Sequence, residues 1–524
     1  MLDVIVIGAG FAGMYMLHRL RAAGLRTLVL EEGGDVGGTW YWNRYPGARC
    51  DVESLEYSYS FVRGWAWSER YAAQPEILDY ARHVAGLLGL RADIRFRTRA
   101  ESAFYDEATG SWTVTTGDGD ALRARFLVTA VGCLSAANVP DLPGLASFAG
   151  PTYHTGRWPH EDVDLTGRRV AVIGTGSSGI QLIPAIAGRA AHVTVFQRTP
   201  GYSTPAVNGP LDPGHARWFE DHRDELTRRA RSSPGGFLVP YGTRAALDVT
   251  AGERQAEYER RWTRGGVGFL TGFTDLLLSE EANESAAEFV RAKIRAIVTD
   301  PATAGRLTPK DQPIGLKRLC LDTGYHATYN RPDVSLVDLR ETPIEEIVPT
   351  GLRTRDTVHE ADVIVFATGY DAITGALLAM DLRGRGGIRL RDRWAGGPTS
   401  YLGLAVAGFP NLFTITGPGS PSVLTNMMVS IEQHVEWIAD CLRDLGPHAV
   451  IEALPDAESS WTEQVRELAD FTLYAKSESW YSGANIPGKQ RVFMPYLGGV
   501  GNYRAECERV AANDYEGFLR TRLP

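Results

Sequence analysis

Two strand–glycine–helix–strand units and one long polar, helical stretch predict an α/β fold with two Rossmann-like dinucleotide-binding domains and a helical insertion in the second. The first unit opens the chain. Residues 2–7 form an apolar run that ends in Gly8-Ala9-Gly10-Phe11-Ala12-Gly13, followed by a helical pattern to about Ala23 and a strand over 26–30. The same grammar returns at 169–173, then Gly174-Thr175-Gly176-Ser177-Ser178-Gly179, a helix to about Ala187 and a strand over 192–196. A lone GxGxxG is weak evidence. Here each copy lies between a strand and a helix, where glycines let a pyrophosphate approach the helix N-terminus. From about 205 to 300 the chain turns charged with helical periodicity and no comparable strand run, which is the expected insertion.

The ends of the two second strands separate the cofactors. An acid at that point hydrogen-bonds a ribose hydroxyl, whereas a base accommodates a 2′-phosphate. Glu31 closes TLVLE in the first unit, which suits FAD. The second strand closes as Phe196-Gln197-Arg198-Thr199 with no carboxylate, which favours NADPH over NADH. Small-residue strand ends at Ala130-Val131-Gly132 and Ala367-Thr368-Gly369 mark crossovers between domains. The expected division is 1–138 with 371–524 as the FAD-binding domain, and 139–370 as the NADP-binding domain.

Composition bounds the rest. At 524 residues the chain exceeds one ordinary core, and its 44% hydrophobic and 22% charged residues are those of a soluble globular protein. A net charge of −9 argues against a nucleic-acid partner. The five cysteines, Cys50, Cys133, Cys320, Cys441 and Cys507, are widely spaced, so neither a CxxC metal or redox pair nor a disulfide framework is expected. The start MLDVIVIGAG lacks the features of a signal peptide, and no stretch reaches about 18 apolar residues, so a cytoplasmic protein without a membrane or metal partner is expected. A monomer, or a weak homo-oligomer, is the expected state.

Two further segments carry a resemblance. Phe148-Ala149-Gly150-Pro151-Thr152-Tyr153-His154-Thr155-Gly156-Arg157-Trp158-Pro159 matches FxGxxxHxxxW-P, and Gly38-Thr39-Trp40-Tyr41-Trp42-Asn43-Arg44-Tyr45-Pro46-Gly47 running on to Asp51 matches GxWxxxx[FY]PGxxxD. In both the chain resembles the type I Baeyer–Villiger monooxygenases, class B flavoprotein monooxygenases. The likeness continues through Lys317-Arg318-Leu319-Cys320, 367–371, 417–428 and 479–489.

The resemblance implies that NADPH reduces FAD, that O2 adds to the flavin C4a position, and that the resulting peroxide attacks a ketone to give an ester or lactone, with sulfoxidation as a side activity. It implies that Arg318 is the fixed cation of this chemistry, oriented by Asp51, with Lys317 joining Arg198 on the 2′-phosphate. Trp480 resembles a tryptophan on a mobile loop that closes over NADP. The cofactor-binding set expected is then Gly8, Gly10, Phe11, Gly13, Glu31, Gly38, Thr39, Trp40, Asp51, Tyr57, Gly174, Thr175, Gly176, Ser177, Ser178, Gly179, Arg198, Thr199, Lys317, Arg318 and Trp480.

Phe148, Gly150, His154 and Trp158 are expected to couple the domains, although a satisfied core histidine explains His154 as well. Trp40 and Tyr45 either back the flavin or pack the core. Leu424, Asn426 and Met427 form the candidate substrate wall, against the plainer reading of Met427 and Met428 as core fillers. An N- or S-oxygenating flavin monooxygenase is the alternative function. A disulfide reductase needs a close cysteine pair, and a nucleotide-binding sensor leaves Arg318 and Asp51 without a purpose.

Overall fold

A computed structural model describes residues 1–522 apart from 356 and 447. β1 (Leu2–Ile7) buries Val4, Ile5 and Val6 completely. A strand covered on both faces reads as a continuous apolar run, and LDVIVI accordingly lies inside its sheet. β1, β2 (Thr27–Leu30) and β3 (Ile94–Arg95) run parallel. β4 (Ala100–Asp106), β5 (Ser111–Thr116) and β6 (Ala121–Thr129) then form an antiparallel meander whose last strand returns beside β1. Two strands from later in the chain complete this sheet, Asp381–Arg383 beside β4 and Leu412–Thr414 beside β6.

The second sheet is all parallel. It holds β7 (Thr152–His154), β8 (Arg169–Ile173), β9 (His192–Gln197), β10 (Val334–Asp338) and β11 (Val363–Phe366), in the order β10-β9-β8-β11-β7. The chain thus leaves the first sheet after β6, builds the second, and returns. The outgoing and returning linkers lie side by side. Asn138 N–H donates to Gly369 O (3.0 Å), Asp371 N–H to Ala136 O (2.9 Å) and Ile373 N–H to Cys133 O (2.7 Å).

The polar stretch folds into helices Pro213–Asp221, Arg223–Ser232, Ala251–Arg264 and Glu280–Ile297. The first, third and fourth are capped at their starts, by Asp212 ahead of Pro213, by a Thr250–Glu253 capping box and by Ser279. The later two place Tyr258, Phe289 and Val290 in the core of the second unit. The first two place Phe219 and Leu226 in the core of the first unit, and Arg231 pairs with Glu432 and Glu436 at 2.9 Å each. The insertion therefore bridges the two units. No described helix is long and apolar enough to cross a membrane.

Helix Met427–Leu445 runs beneath the first fingerprint helix and carries His434, which has no solvent exposure. Its Nδ1 accepts the N–H of Thr416, a β-branched residue at φ +59°. Burial drives the imidazole pKa down to about 3. An unfolded chain binds this proton below about 6.5 and the folded chain does not, so His434 subtracts stability as the pH falls through that window. His434→Gln keeps an acceptor for Thr416 and does not titrate. It is expected to flatten the slope of unfolding free energy by about 1.4 kcal/mol per pH unit between about pH 6 and pH 4, read by denaturant titration at each pH.

Candidate active site

In the first fingerprint Gly8 adopts φ +103°, and a Cβ on it would stand 2.5 Å from Ala130 O. A Cβ on Gly13 would stand 1.8 Å from Gly8 O, so helix Phe11–Ala22 touches its strand and leaves its N-terminus open. No side chain caps that end and no acid lies in its first turn. Glu31 is buried and accepts from Ala9 N–H (2.6 Å) and Gly33 N–H (2.7 Å), which fixes its carboxylate beside the glycine turn. Gly38 faces Gly10, with 3.4 Å from a Gly10 Cβ to Gly38 Cα, and Trp40 follows, donating from Nε1 to Tyr57 OH (3.0 Å). Phe11 packs edge-on against Tyr57 at 5.9 Å. This bare, backbone-lined cradle with one buried acid fits the adenosine and pyrophosphate of FAD.

The second fingerprint repeats the design. Gly174 has φ +109°, Gly179 packs on Gly174 O, and space around Gly176 is open. Helix Ser177–Ile186 again has no side-chain cap and no acid in its first turn. Thr175 Oγ1 reaches Thr199 O at 3.4 Å, and Arg198 stands exposed at the strand end. Burial first, then the charge of Arg198, lowers the pKa of Lys317, so cations from two separate segments lie near enough to repel each other. Neither is ion-paired among the described residues. A doubly charged phosphate monoester is the partner such a pair fits.

Between the two units lies the pair the resemblance singled out. Arg318 Nε and Nη2 both donate to the Asp51 carboxylate, Nη2 to Oδ1 at 2.8 Å, and Nη1 donates to Val423 O at 2.8 Å. About a fifth of each side chain is exposed, 22% and 24%. Burial pushes the Asp51 carboxyl up and the guanidinium down, and their mutual attraction outweighs both, so Asp51 is held below the usual carboxylate range and Arg318 above its own. Burial also keeps the Cys50 thiol and the Tyr481 phenol neutral beside them.

Local structure explains how residues 267 positions apart meet. Gly47 has φ +84°, and a Cβ on it would stand 2.4 Å from Gln181 O, so this stretch lies flat on helix Ser177–Ile186 of the other unit. Tyr45 OH donates to Gln181 Oε1 (2.8 Å) and Gln181 Nε2 to Arg49 O (3.0 Å). Tyr45 is thus a buried contact between units, packed in the core cluster of the second. From the other side, Cys320–Asp322 pairs in parallel with Ser203–Pro205 and fixes where Arg318 emerges.

The FxGxxxHxxxW stretch lines the same junction. A Cβ on Gly150 would stand 2.3 Å from Asp362 O, and Phe148 packs in the cluster with Ile364 and Phe366. His154 accepts the N–H of Gly156 on Nδ1 (2.9 Å), which leaves the proton on Nε2, 3.4 Å from Thr368 Oγ1. Thr368 Oγ1 in turn donates to Asn138 O, so His154 joins both linkers. Burial lowers its pKa, and a neutral ring is what this chain of bonds requires. Trp158 is buried and its N–H reaches Trp42 O at 3.3 Å.

Leu424 and Met427 share one apolar cluster with Val423, Ile373, Tyr481 and Trp480. Asn426 does other work. It caps helix Met427–Leu445, accepting from Met428 N–H (3.1 Å), and its Nδ2 donates to Glu56 O (3.0 Å), so both polar atoms are used within the fold. Ser422 Oγ, next to Val423, is buried without a partner among the described residues.

Residues 2–222 match the pyridine nucleotide-disulphide oxidoreductase family. All five cysteines are free. A Baeyer-Villiger monooxygenase of Pseudooceanicola batsensis is 44% identical over 530 residues, 99% of this chain and 96% of its own length. The chain belongs to the Baeyer–Villiger monooxygenase family. A phenazine N-monooxygenase of Lysobacter antibioticus is 43% identical over 99% of this chain and 96% of its own. A solved steroid monooxygenase bound to NADP is 50% identical and superposes with a TM-score of 0.95, covering 100% of this chain and 99% of that one.

Within this Baeyer–Villiger monooxygenase the structure adds residues that sequence reasoning missed. Val423 holds Arg318 through its carbonyl, which no side-chain pattern reveals. Gln181 is a polar residue inside an apolar helix, a signal that was legible. Arg157 lies over the Trp42 ring at 4.3 Å and pairs with Glu32 at 3.0 Å, a further bond across the units next to Glu31.

Proposed function

We propose that this Baeyer–Villiger monooxygenase converts ketones to esters or lactones using FAD, NADPH and O2, with residues 1–138 and 371–524 holding FAD and 139–370 holding NADP. The single observation that carries the reading is the Arg318–Asp51 pair, held at the junction of the two nucleotide cradles and tied by Val423 to the apolar cluster of Leu424 and Met427.

Bound FAD, reduced by NADPH, supplies the activation of O2. The chain's own residues do the rest. Arg318 carries a positive charge that it cannot lose, and a fixed cation favours the anionic form of any oxygen group beside it. Asp51 grips two of its nitrogens, so the guanidinium plane has one orientation. Arg198 and Lys317 select the 2′-phosphate, and Trp480 covers the dinucleotide. The cluster around Leu424 and Met427 offers an apolar wall to a neutral ketone and excludes water. His154 moves no proton and works by joining the linkers. The wide spacing of the five cysteines favours a reducing compartment, and we read the protein as cytoplasmic, a monomer or a weak homo-oligomer.

Incubation of FAD-loaded protein with NADPH, O2 and a panel of aryl, cyclic and steroidal ketones, followed by mass spectrometry, tests this. Products heavier by one oxygen are expected from a subset of the ketones. The phenazine N-monooxygenase among the relatives favours a second reading, oxygenation of a ring nitrogen or a sulfide, so the panel includes a heteroaromatic amine and a thioether. N-oxide with no ester from any ketone would replace the first reading by the second.

A further inference from the structure

The segment that carries Trp480 is fastened beyond the tryptophan. Lys489 Nζ pairs with Asp371 and lies 3.3 Å from Ala372 O, with 14% of the lysine and 30% of the aspartate side chain exposed. Asn485 Nδ2 donates to Tyr370 O at 2.8 Å. All three acceptors lie on the returning linker between the two sheets, the one whose Thr368 meets His154.

That linker is strained. Ile373 holds φ +66°, a region β-branched residues avoid, while its N–H is committed to Cys133 O. Such conformations persist only where surrounding bonds over-determine them. The lysine supplies one of those bonds, and it reaches because two glycines shape the segment. Gly483 turns at φ +73°, and a Cβ on it would stand 3.0 Å from Lys489 Cδ, so the lysine stem lies across a bare backbone. Gly488 turns again at φ +76°. Trp480 itself packs in the cluster that contains Ile373. An exposed ion pair would contribute little. This one is mostly covered, has a carbonyl as a third partner, and joins segments 118 residues apart.

We propose that Lys489 and Asp371 are positioning residues of the reaction: their pair seats the Trp480 segment on the linkers that join the two units, and so sets how tightly NADP is retained during turnover. The inference rests on the reading that Trp480 covers the dinucleotide. When the seat is lost, NADPH still gives up two electrons, but they leave on O2 with two protons as hydrogen peroxide instead of splitting O2 between product and water.

Lys489→Met keeps the stem and removes the charge, and Lys489→Arg restores the charge. In the FAD-loaded protein the Met variant is expected to bind NADP⁺ about tenfold more weakly by equilibrium dialysis. Limited proteolysis within 483–489 accelerates several-fold, hydrogen peroxide per NADPH rises, and the Arg variant recovers most of each effect with the melting temperature of both near that of the parent. A Met variant with parental NADP⁺ affinity and parental cleavage overturns the proposal. Faster cleavage with unchanged NADP⁺ affinity removes Trp480 from the dinucleotide and the proposal with it. If the parent oxygenates no ketone yet the Met variant still loses NADP⁺ affinity, the clasp stands and the ketone reading falls.

Discussion

Arg318→Ala is expected to lose oxygen insertion into ketones by about 10²–10³-fold while FAD stays bound, because one preorganised cation at a developing negative charge is worth that much and the glycine turn with Glu31 is held by bonds that do not involve this side chain. The deletion also leaves Asp51 without its partner. That costs stability on the order of 1–3 kcal/mol, less than for a fully buried pair because about a fifth of each side chain is exposed. The double variant Arg318→Ala with Asp51→Asn separates the two effects. It regains melting temperature and does not regain product. Arg318→Lys keeps a charge but loses the two-nitrogen grip on Asp51, so it falls between the parent and Ala. Product yield by mass spectrometry and bound flavin by absorbance report both quantities on one sample.

The second large effect falls on the choice of reductant. Arg198→Ala and Lys317→Met each remove one cation from the expected 2′-phosphate site, and each is expected to weaken NADPH about 10–100-fold. NADH, which lacks that phosphate, is nearly unaffected, so the double variant loses most of its preference. Steady-state KM for the two coenzymes checks this. Equal losses for NADH and NADPH would place these cations elsewhere.

Much of this was legible in the sequence. Both fingerprint turns fold where glycine spacing put them, with helix ends within two residues, since the turns depend on backbone positions that only glycine fills. Glu31 and Arg198 were legible for the same reason, as each closes a strand of fixed length. The meander β4 to β6 was not anticipated, although the period-two burial of β5 carried the signal. Periodicity revealed the insertion helices but not their partners, because an amphipathic face does not say which core it covers, and half of them cover the first unit. Asn426 sat directly before an apolar-periodic helix, the position of an N-cap, and residue type alone suggested a wall. The Arg318–Asp51 meeting came only from the resemblance. Contacts such as Lys489 with Asp371, or Nη1 with the Val423 carbonyl, depend on the folded path and leave no local trace.

Turnover under ¹⁸O2 with a ketone that the protein accepts puts the central claim to its most direct test. One labelled atom in the ester per NADPH consumed, and nearly none when Arg318 is alanine, is the expected result. Label that appears only in hydrogen peroxide or in an N-oxide, or an ester formed equally well without Arg318, would contradict it.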